Sequence, residues 1–240
     1  MAIYACSDLH GCKVLFQKVR KFLKPDDTVY FLGDAADRGS HGWELIKEIA
    51  TDSRFIPIKG NHEDMLISAA ESYFPDERPG RGYSLLVNNG GGSTFYDMTN
   101  DPWNREWINH IKKYPTHIEY VNQRNELVLL SHAGYTPWFD ERDGSTVMPT
   151  DSDLIWSREH FWDEWDEENF GRTIVVHGHT PIPYMAEYLR TPERDDIEKP
   201  FWYCNNHKVC IDSAAFATDI CFLLNLNDWS YHTFQVYEDE

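Results

Sequence analysis

The sequence predicts an α/β fold: two packed mixed β-sheets forming a sandwich, flanked by helices. Three observations carry this expectation. The first third alternates short apolar runs with amphipathic helical patterns, in the order β-α-β-α-β-α. That order builds a parallel sheet through right-handed crossovers. The second half is richer in strand-like runs, some joined by tight turns. Finally, five apolar runs stop abruptly at polar, ligand-type residues, as strands do where they face the crevice of an open α/β sheet.

Each element has a local reason. Ile3–Ser7 is a short β-like run. Lys13–Lys24 places Leu15, Val19, Phe22 and Leu23 at helical spacing, and Pro25 stops it. Thr28–Leu32 is a second buried strand. His41–Ala50 is a helix with Trp43, Ile46, Ile49 and Ala50 apolar. Phe55–Lys59 is a third strand and Glu63–Tyr73 a third helix, with Glu63 and Asp64 favouring its N-terminal turn through the helix dipole. Residues 75–115 read as an inserted, cap-like segment. It has a Pro/Gly-rich loop at Pro75–Gly82, a flexible stretch at Asn88–Gly92 and a helix at Arg105–Tyr114. Its aromatics Tyr83, Phe95, Tyr96, Trp103 and Trp107 fit a small satellite core better than a substrate wall. His117–Val121 and Glu126–Ser131 flank a turn, as in a hairpin. Thr173–His177 is a buried strand, and Val209–Ile211, Ile220–Leu226 and Tyr231–Tyr237 read as a final antiparallel set. The whole, 1–240, reads as one domain.

Bulk properties exclude several classes. Hydrophobic residues make up 41% and charged residues 26%, enough for a core and unlike a disordered chain. The formal net charge of −18 argues against a general nucleic-acid binder, which needs a basic surface. No apolar run approaches the ~20 residues that span a bilayer, and no targeting signal precedes the first strand. The five cysteines form no CxxC pair, which fits reduced thiols in a cytoplasmic protein. Cys204, His207 and Cys210 lack a fourth ligand at sensible spacing for a metal clip.

The chemistry sits at the strand ends. The five segments are Asp8-Leu9-His10-Gly11, Gly33-Asp34-Ala35-Ala36-Asp37-Arg38-Gly39, Gly60-Asn61-His62-Glu63, Ser131-His132-Ala133-Gly134 and His177-Gly178-His179-Thr180. Carboxylate, amide and imidazole donors without thiolate suit Mn, Fe, Zn or similar divalent ions. There are too many donors for one ion, and a shared carboxylate could bridge two ions ~3.5–4 Å apart.

In this order the motifs resemble the phosphoprotein phosphatase branch of the calcineurin-like metallophosphoesterases, with a compact size similar to the bacteriophage lambda-type and bacterial serine/threonine protein phosphatases. The motifs span residues 8–180; residues 181–240 carry no distinctive motif. The resemblance implies roles. Asp8 and His10 would bind a first metal, Asp34 would bridge, and Asn61, His132 and His179 would bind a second. His62 would be the general acid, held by Asp37. Arg38 would grip phosphate with Arg158, although Arg142 and Arg172 lie in the same interval. It further implies a phosphomonoesterase with two divalent ions, manganese first among them, acting by direct attack of a hydroxide held between the metals. Phosphorylated proteins or small phosphate esters would be its substrates. The alternative in the same family is a dinucleoside polyphosphate hydrolase, for which stacking aromatics in 75–115 or in Gly134–Asp153 would argue. An inactive metal-binding scaffold is disfavoured, because every matched motif position is filled.

Other residues get plainer readings. His41, His110, His117, His160, His207 and His232 read as solvated or capping residues. His177 shares strand parity with His179 and would support the site from behind. The acidic run Asp163–Glu168 reads as a solvated face. Asp212, which follows a strand, reads as a residue near the rim of the site and takes no role.

Overall fold

A computed structural model describes residues 1–140, 142–158, 160, 162, 164–189 and 198–237. Its elements run β1 (Ile3–Cys6), α1 (Lys13–Phe22), β2 (Thr28–Phe31), α2 (Gly42–Thr51), β3 (Phe55–Pro57), α3 (Asn61–Tyr73), α4 (Arg81–Asn88), α5 (Gly92–Asn100) and α6 (Asn104–Ile111). They continue with β4 (His117–Val121), β5 (Leu127–Ser131), β6 (Trp138–Asp140), β7 (Ser145–Val147), α7 (Asp151–Trp156), α8 (Glu167–Phe170), β8 (Thr173–His177) and α9 (Ile182–Leu189). The last are β9 (Phe201–Tyr203), β10 (Lys208–Cys210), α10 (Ala215–Thr218), β11 (Ile220–Asn225) and β12 (Tyr231–Gln235).

Two five-stranded mixed sheets result, in the orders β12-β11-β1-β2-β3 and β4-β5-β8-β10-β9. Each has three parallel strands: β1, β2 and β3 in one, β5, β8 and β10 in the other. Antiparallel partners complete the edges. The sheets face each other across a core of Ala5, Leu32, Ile58, Val128, Leu130, Ile174, Val176, Val209, Ile211, Leu224 and Leu226. Strand parity explains the division. Ile174 and Val176 of β8 point into this core, while Val175 points outward onto Leu129, Tyr135, Leu154 and Trp165. Each such apolar side chain contributes about 1.5–3 kcal/mol by leaving water. The outer face of the first sheet is covered by the helices, through Leu15, Phe16, Val19, Ile46, Ile49, Leu66 and Ala70.

Three expectations change. Residues 208–210 do not join the final antiparallel set: β10 pairs parallel with β8, Cys210 opposite His177, and so belongs to the second sheet. The stretch 80–100 is two helices, and its apolar side chains form no satellite core. Leu86, Phe95 and Met98 are buried in the main helical core, with Tyr83 and Trp107 packed against it. Tyr96 and Trp103 stay exposed. Finally, α7 was unannounced. Thr150 caps it, its Oγ1 accepting from the Asp153 amide, while the Asp153 carboxylate accepts from the Thr150 amide. Of the acidic run, Asp163 lies outside the described residues, and Glu167 and Glu168 open α8. No described helix is long and apolar enough to cross a membrane.

Candidate active site

The C-terminal ends of β1, β2, β5 and β8 and the start of α3 bring the five motifs together. Asp8, His10, Asp34, Asp37, Asn61, His62, His132 and His179 are all buried. Their backbone is unusual. Asp8, His10, Asp34, Asp37, Arg38 and His179 all have φ between 45° and 70°. For residues with a Cβ this left-handed region is strained, and such strain concentrates at functional sites. Here it turns each chain sharply as it leaves its strand and aims the side chain inward. Two glycines make the turns possible. Gly33, at φ 90°, backs directly onto Gly60 and His132, and a Cβ on Gly178 would strike the Asp8 carboxylate.

Asp34 is the hub. One carboxylate oxygen lies 3.4 Å from His132 Nε2 and accepts from the His62 amide at 3.0 Å. The other lies 3.7 Å from His10 Nε2 and 3.8 Å from His62 Nε2. Asn61 Oδ1 stands 2.9 Å from both His132 Nε2 and His179 Nδ1. The Asp8 carboxylate accepts from the His179 amide at 3.2 Å and from the Ser7 hydroxyl. Each of three imidazoles spends one nitrogen on a backbone carbonyl: His10 Nδ1 on Ala36, His132 Nδ1 on Leu32 and His179 Nε2 on Trp156. The other nitrogen is left facing the centre.

His62 differs: its Nδ1–H donates to Asp37 Oδ2 at 2.7 Å. Arg38 donates to His10 Nε2 at 2.8 Å and to His62 Nε2 at 3.3 Å. Arg158 donates to the His179 carbonyl at 3.3 Å and to Thr180 Oγ1 at 3.1 Å. The other arginines of that interval are engaged elsewhere, Arg142 on Asp140 and Arg172 on Glu126.

Electrostatics follow from burial. Desolvation pushes the His10 imidazolium down to about 3, leaving a neutral donor. Burial also opposes charge on His132 and His62. For His132 the carboxylates of Asp34 and Asp8 win, lifting it to about 10; for His62, Asp34 and Asp37 win and raise it. Burial would raise Asp34, but the imidazoles of His132, His62 and His10 hold it well below the usual carboxylate range. Burial and the neighbouring Asp212 push Asp8 well up.

A model of the calcineurin-like phosphoesterases matches residues 1–210. The chain belongs to this family. Over 159 residues, 64% of its length, this phosphoesterase is 28% identical to serine/threonine-protein phosphatase 2 of Escherichia coli. Over 141 residues, 57% of its length, it is 28% identical to a symmetrical bis(5'-nucleosyl)-tetraphosphatase of Acidovorax ebreus. The matches span 66% and 45% of those relatives' own lengths. A metallophosphoesterase from Sphaerobacter thermophilus shares its fold, with a TM-score of 0.55 at 15% identity, over 98% of this chain and 87% of that one. Its family is one of phosphoesterases that use a dimetal centre.

The donors of this phosphoesterase fit such a centre. Among the described residues, two groups offer ligand atoms within 4.8 Å of one another: His10, Asp34 and His62, and Asp34, His132 and His179. Asp34 belongs to both; His62 stands in the first beside His10, and Asp8, whose carboxylate accepts from the His179 amide and the Ser7 hydroxyl, belongs to neither. A guanidinium already stands between two imidazole nitrogens at the first group, so the place accepts positive charge. Carbonyls hold the rear nitrogens of His10, His132 and His179, the usual support for imidazole ligands. Cys204, His207 and Cys210 form no such group.

Several residues behave differently from their sequence reading. Glu63 does more than favour a helix start: its carboxylate accepts from the amides of Asp34, Ala35 and Gly60, tying the β2 tip to α3. His177 does not share a face with His179, because the chain leaves the strand between them. Its Nε2 pairs with the Tyr203 hydroxyl at 2.7 Å and its ring meets His160. His160 and His207 are buried rather than solvated; Thr136 and the Thr173 carbonyl are their partners. Asp212 is 2% exposed rather than at a rim, and burial lifts its carboxyl to about 6. The segment 75–115 reaches the site from behind: the Gly90 carbonyl accepts from the Arg38 amide, and Thr94 Oγ1 accepts from the Asp37 amide.

Proposed function

We propose that the chain is a metal-dependent phosphomonoesterase, with phosphoserine and phosphothreonine in proteins as its first substrate class. One observation carries the reading: two groups of buried donors share the single carboxylate of Asp34. Asp8 and His10 would hold one divalent ion, Asn61, His132 and His179 the other, and Asp34 both. Two such ions, manganese foremost, supply Lewis-acid stabilisation of the phosphoryl oxygens and a lowered pKa for water. The rest falls to the chain. Arg38 and Arg158 grip the phosphoryl oxygens, for which a planar guanidinium fork is suited. Asp37 fixes the His62 ring through Nδ1, so that Nε2 can deliver a proton to the leaving oxygen. Residues 75–115 brace the Asp37–Gly39 loop within a single domain of 1–240. The buried thiols Cys6, Cys210 and Cys221 support a cytoplasmic setting.

A groove of about 420 Å³ opens beside His10 and Arg38 and runs past Lys13 and His41. An open groove of this kind favours a peptide. The second reading, a dinucleoside polyphosphate, has its own support: Trp138 is 51% exposed in a cleft lined by Gly134, Met148 and Ser157, the residue before Arg158 in the chain. Such a ring could stack on a base. Metal-depleted enzyme reconstituted with manganese should release phosphate from a phosphoserine peptide faster than it cleaves diadenosine tetraphosphate. The reverse order would favour the second reading, and failure on both would overturn the assignment.

A further inference from the structure

Phe216, from the short helix α10 between β10 and β11, lies against the site although no motif marks it. The Arg38 guanidinium stands 4.4 Å from the centre of its ring, and the His10 ring meets it edge-on at 5.7 Å. The ring is 48% exposed and lines the groove beside Arg38, so it is not a core residue. The connection around it is rigidly built. Ala214 and Asp219, on either side of α10, both adopt left-handed backbone at φ 60° and 58°. Asp212 Oδ1 accepts from the Ala214 amide at 2.8 Å, the Ser213 hydroxyl donates to the Ile220 carbonyl, and Thr218 Oγ1 donates to the Ser213 carbonyl at 3.0 Å. A strained, cross-braced connection holding a half-exposed aromatic is a costly arrangement without a use for the ring.

The use follows from Arg38. In this structure its guanidinium donates to His10 Nε2. That nitrogen cannot accept a hydrogen bond and ligate a cation at the same time. With a cation bound at His10, Arg38 would give up that contact, and its longer contact with His62 Nε2 at 3.3 Å and the face of Phe216 would be left to keep its guanidinium at the site. We infer that Phe216 is a positioning residue: its ring holds the Arg38 guanidinium by cation–π contact, leaving the planar fork free to bind phosphoryl oxygens. This rests on the reading of Arg38 as a phosphate-gripping residue.

The test compares Phe216→Leu, which keeps apolar bulk, with Phe216→Tyr, which keeps the ring. Binding of inorganic phosphate to the manganese-loaded protein is read by calorimetry, alongside KM and kcat for a phosphoserine peptide. Phe216→Leu should weaken phosphate binding and raise KM by about 3- to 30-fold, the range of a cation–π contact, with kcat changed far less. Phe216→Tyr should restore both to near wild type, and in an Arg38→Ala background Phe216→Leu should have no further effect. Wild-type phosphate affinity in Phe216→Leu overturns the proposal, as does a failure of tyrosine to rescue. An effect of Phe216→Leu that persists undiminished without Arg38 also overturns it, while leaving the role of Arg38 standing. If instead Arg38→Ala binds phosphate like wild type, the underlying reading of Arg38 has failed.

Discussion

The edge formed by α1 and α2 and the cluster of strand tips are both rich in charge, and they handle it in opposite ways. At the edge, Asp52 receives Arg20 Nε at 2.9 Å and Arg54 Nη2 at 2.7 Å, while Arg20 Nη1 also reaches Glu48 at 3.1 Å. No residue of α1 or α2 has positive φ. Lys13, Arg20, Lys47 and Asp52 there each meet an opposite charge, in relaxed backbone. At the tips, Asp8, Asp34, Asp37, Glu63 and Asp212 are buried together, on backbone that is left-handed at Asp8, Asp34 and Asp37. The arginine nearest them, Arg38, donates to imidazoles rather than to carboxylates. Burying charge costs several kcal/mol per group unless it is matched. The edge is therefore built for stability, and the tips are built to be completed by added positive charge. A protein tolerates one such region when the remainder is internally consistent.

Four substitutions or treatments test this contrast. The largest effect should come from Asp34→Asn. It should lower kcat/KM more than about 100-fold, beyond the loss typical of residues that merely support ligands, and far-ultraviolet circular dichroism should show the fold retained. Asp52→Asn, at the edge, should leave kcat/KM unchanged in the same assay; a comparable loss there would erase the distinction. Next, His62→Asn should lower kcat by about 10²–10⁴, the usual worth of a general acid, while bound metal measured by mass spectrometry stays the same. Full activity in that variant would remove His62 from the chemistry.

The third effect is on stability. Manganese at about 100 times its dissociation constant should stabilise the wild type by about 2.7 kcal/mol per site. For a chain of this size, each kcal/mol raises Tm by roughly 2–4 °C. Scanning calorimetry should show this rise for two sites in the wild type and in Asp52→Asn, and for at most one site in Asp34→Asn. The smallest effect belongs to the edge itself. Asp52→Asn should cost about 1 kcal/mol at pH 7, in line with measured ion pairs near a surface. The two arginines hold the Asp52 carboxyl well below its ordinary value. A depressed acid contributes its stability above the unfolded value near 4 and loses it as pH falls toward the folded one. The gap in urea midpoint between wild type and Asp52→Asn should therefore be full at pH 6 and shrink steadily below about pH 4. A gap that widens on acidification would contradict the sign.

The same contrast governs what could be read from the chain. The strand ends were legible because each motif combines a β-run with a donor and a glycine, and only a sharp turn satisfies both. The bounds of β4 and β8 follow from their apolar patterns for the same reason. The helices α4 and α5 were hidden because Gly80, Gly82 and Gly90 to Gly92 look like a loop, while tertiary packing of Leu86, Phe95 and Met98 overrides that local preference. The pairing of β10 with β8 was hidden because adjacency in sequence suggested β11, and three residues carry no signal for their sheet. Parity misled at His177 because His179 sits in left-handed backbone past the strand end, where alternation no longer holds. Phe216 was invisible because a lone aromatic acquires meaning only from Arg38, 178 positions away in the chain.

All of this turns on whether Asp34 is shared between two cations. Counting divalent ions per folded chain by plasma mass spectrometry, after reconstitution with manganese and removal of excess, reads that claim directly. The wild type should retain two ions per chain and Asp34→Asn at most one. A wild type that retains one or none, or an Asp34→Asn protein that still retains two, would contradict it.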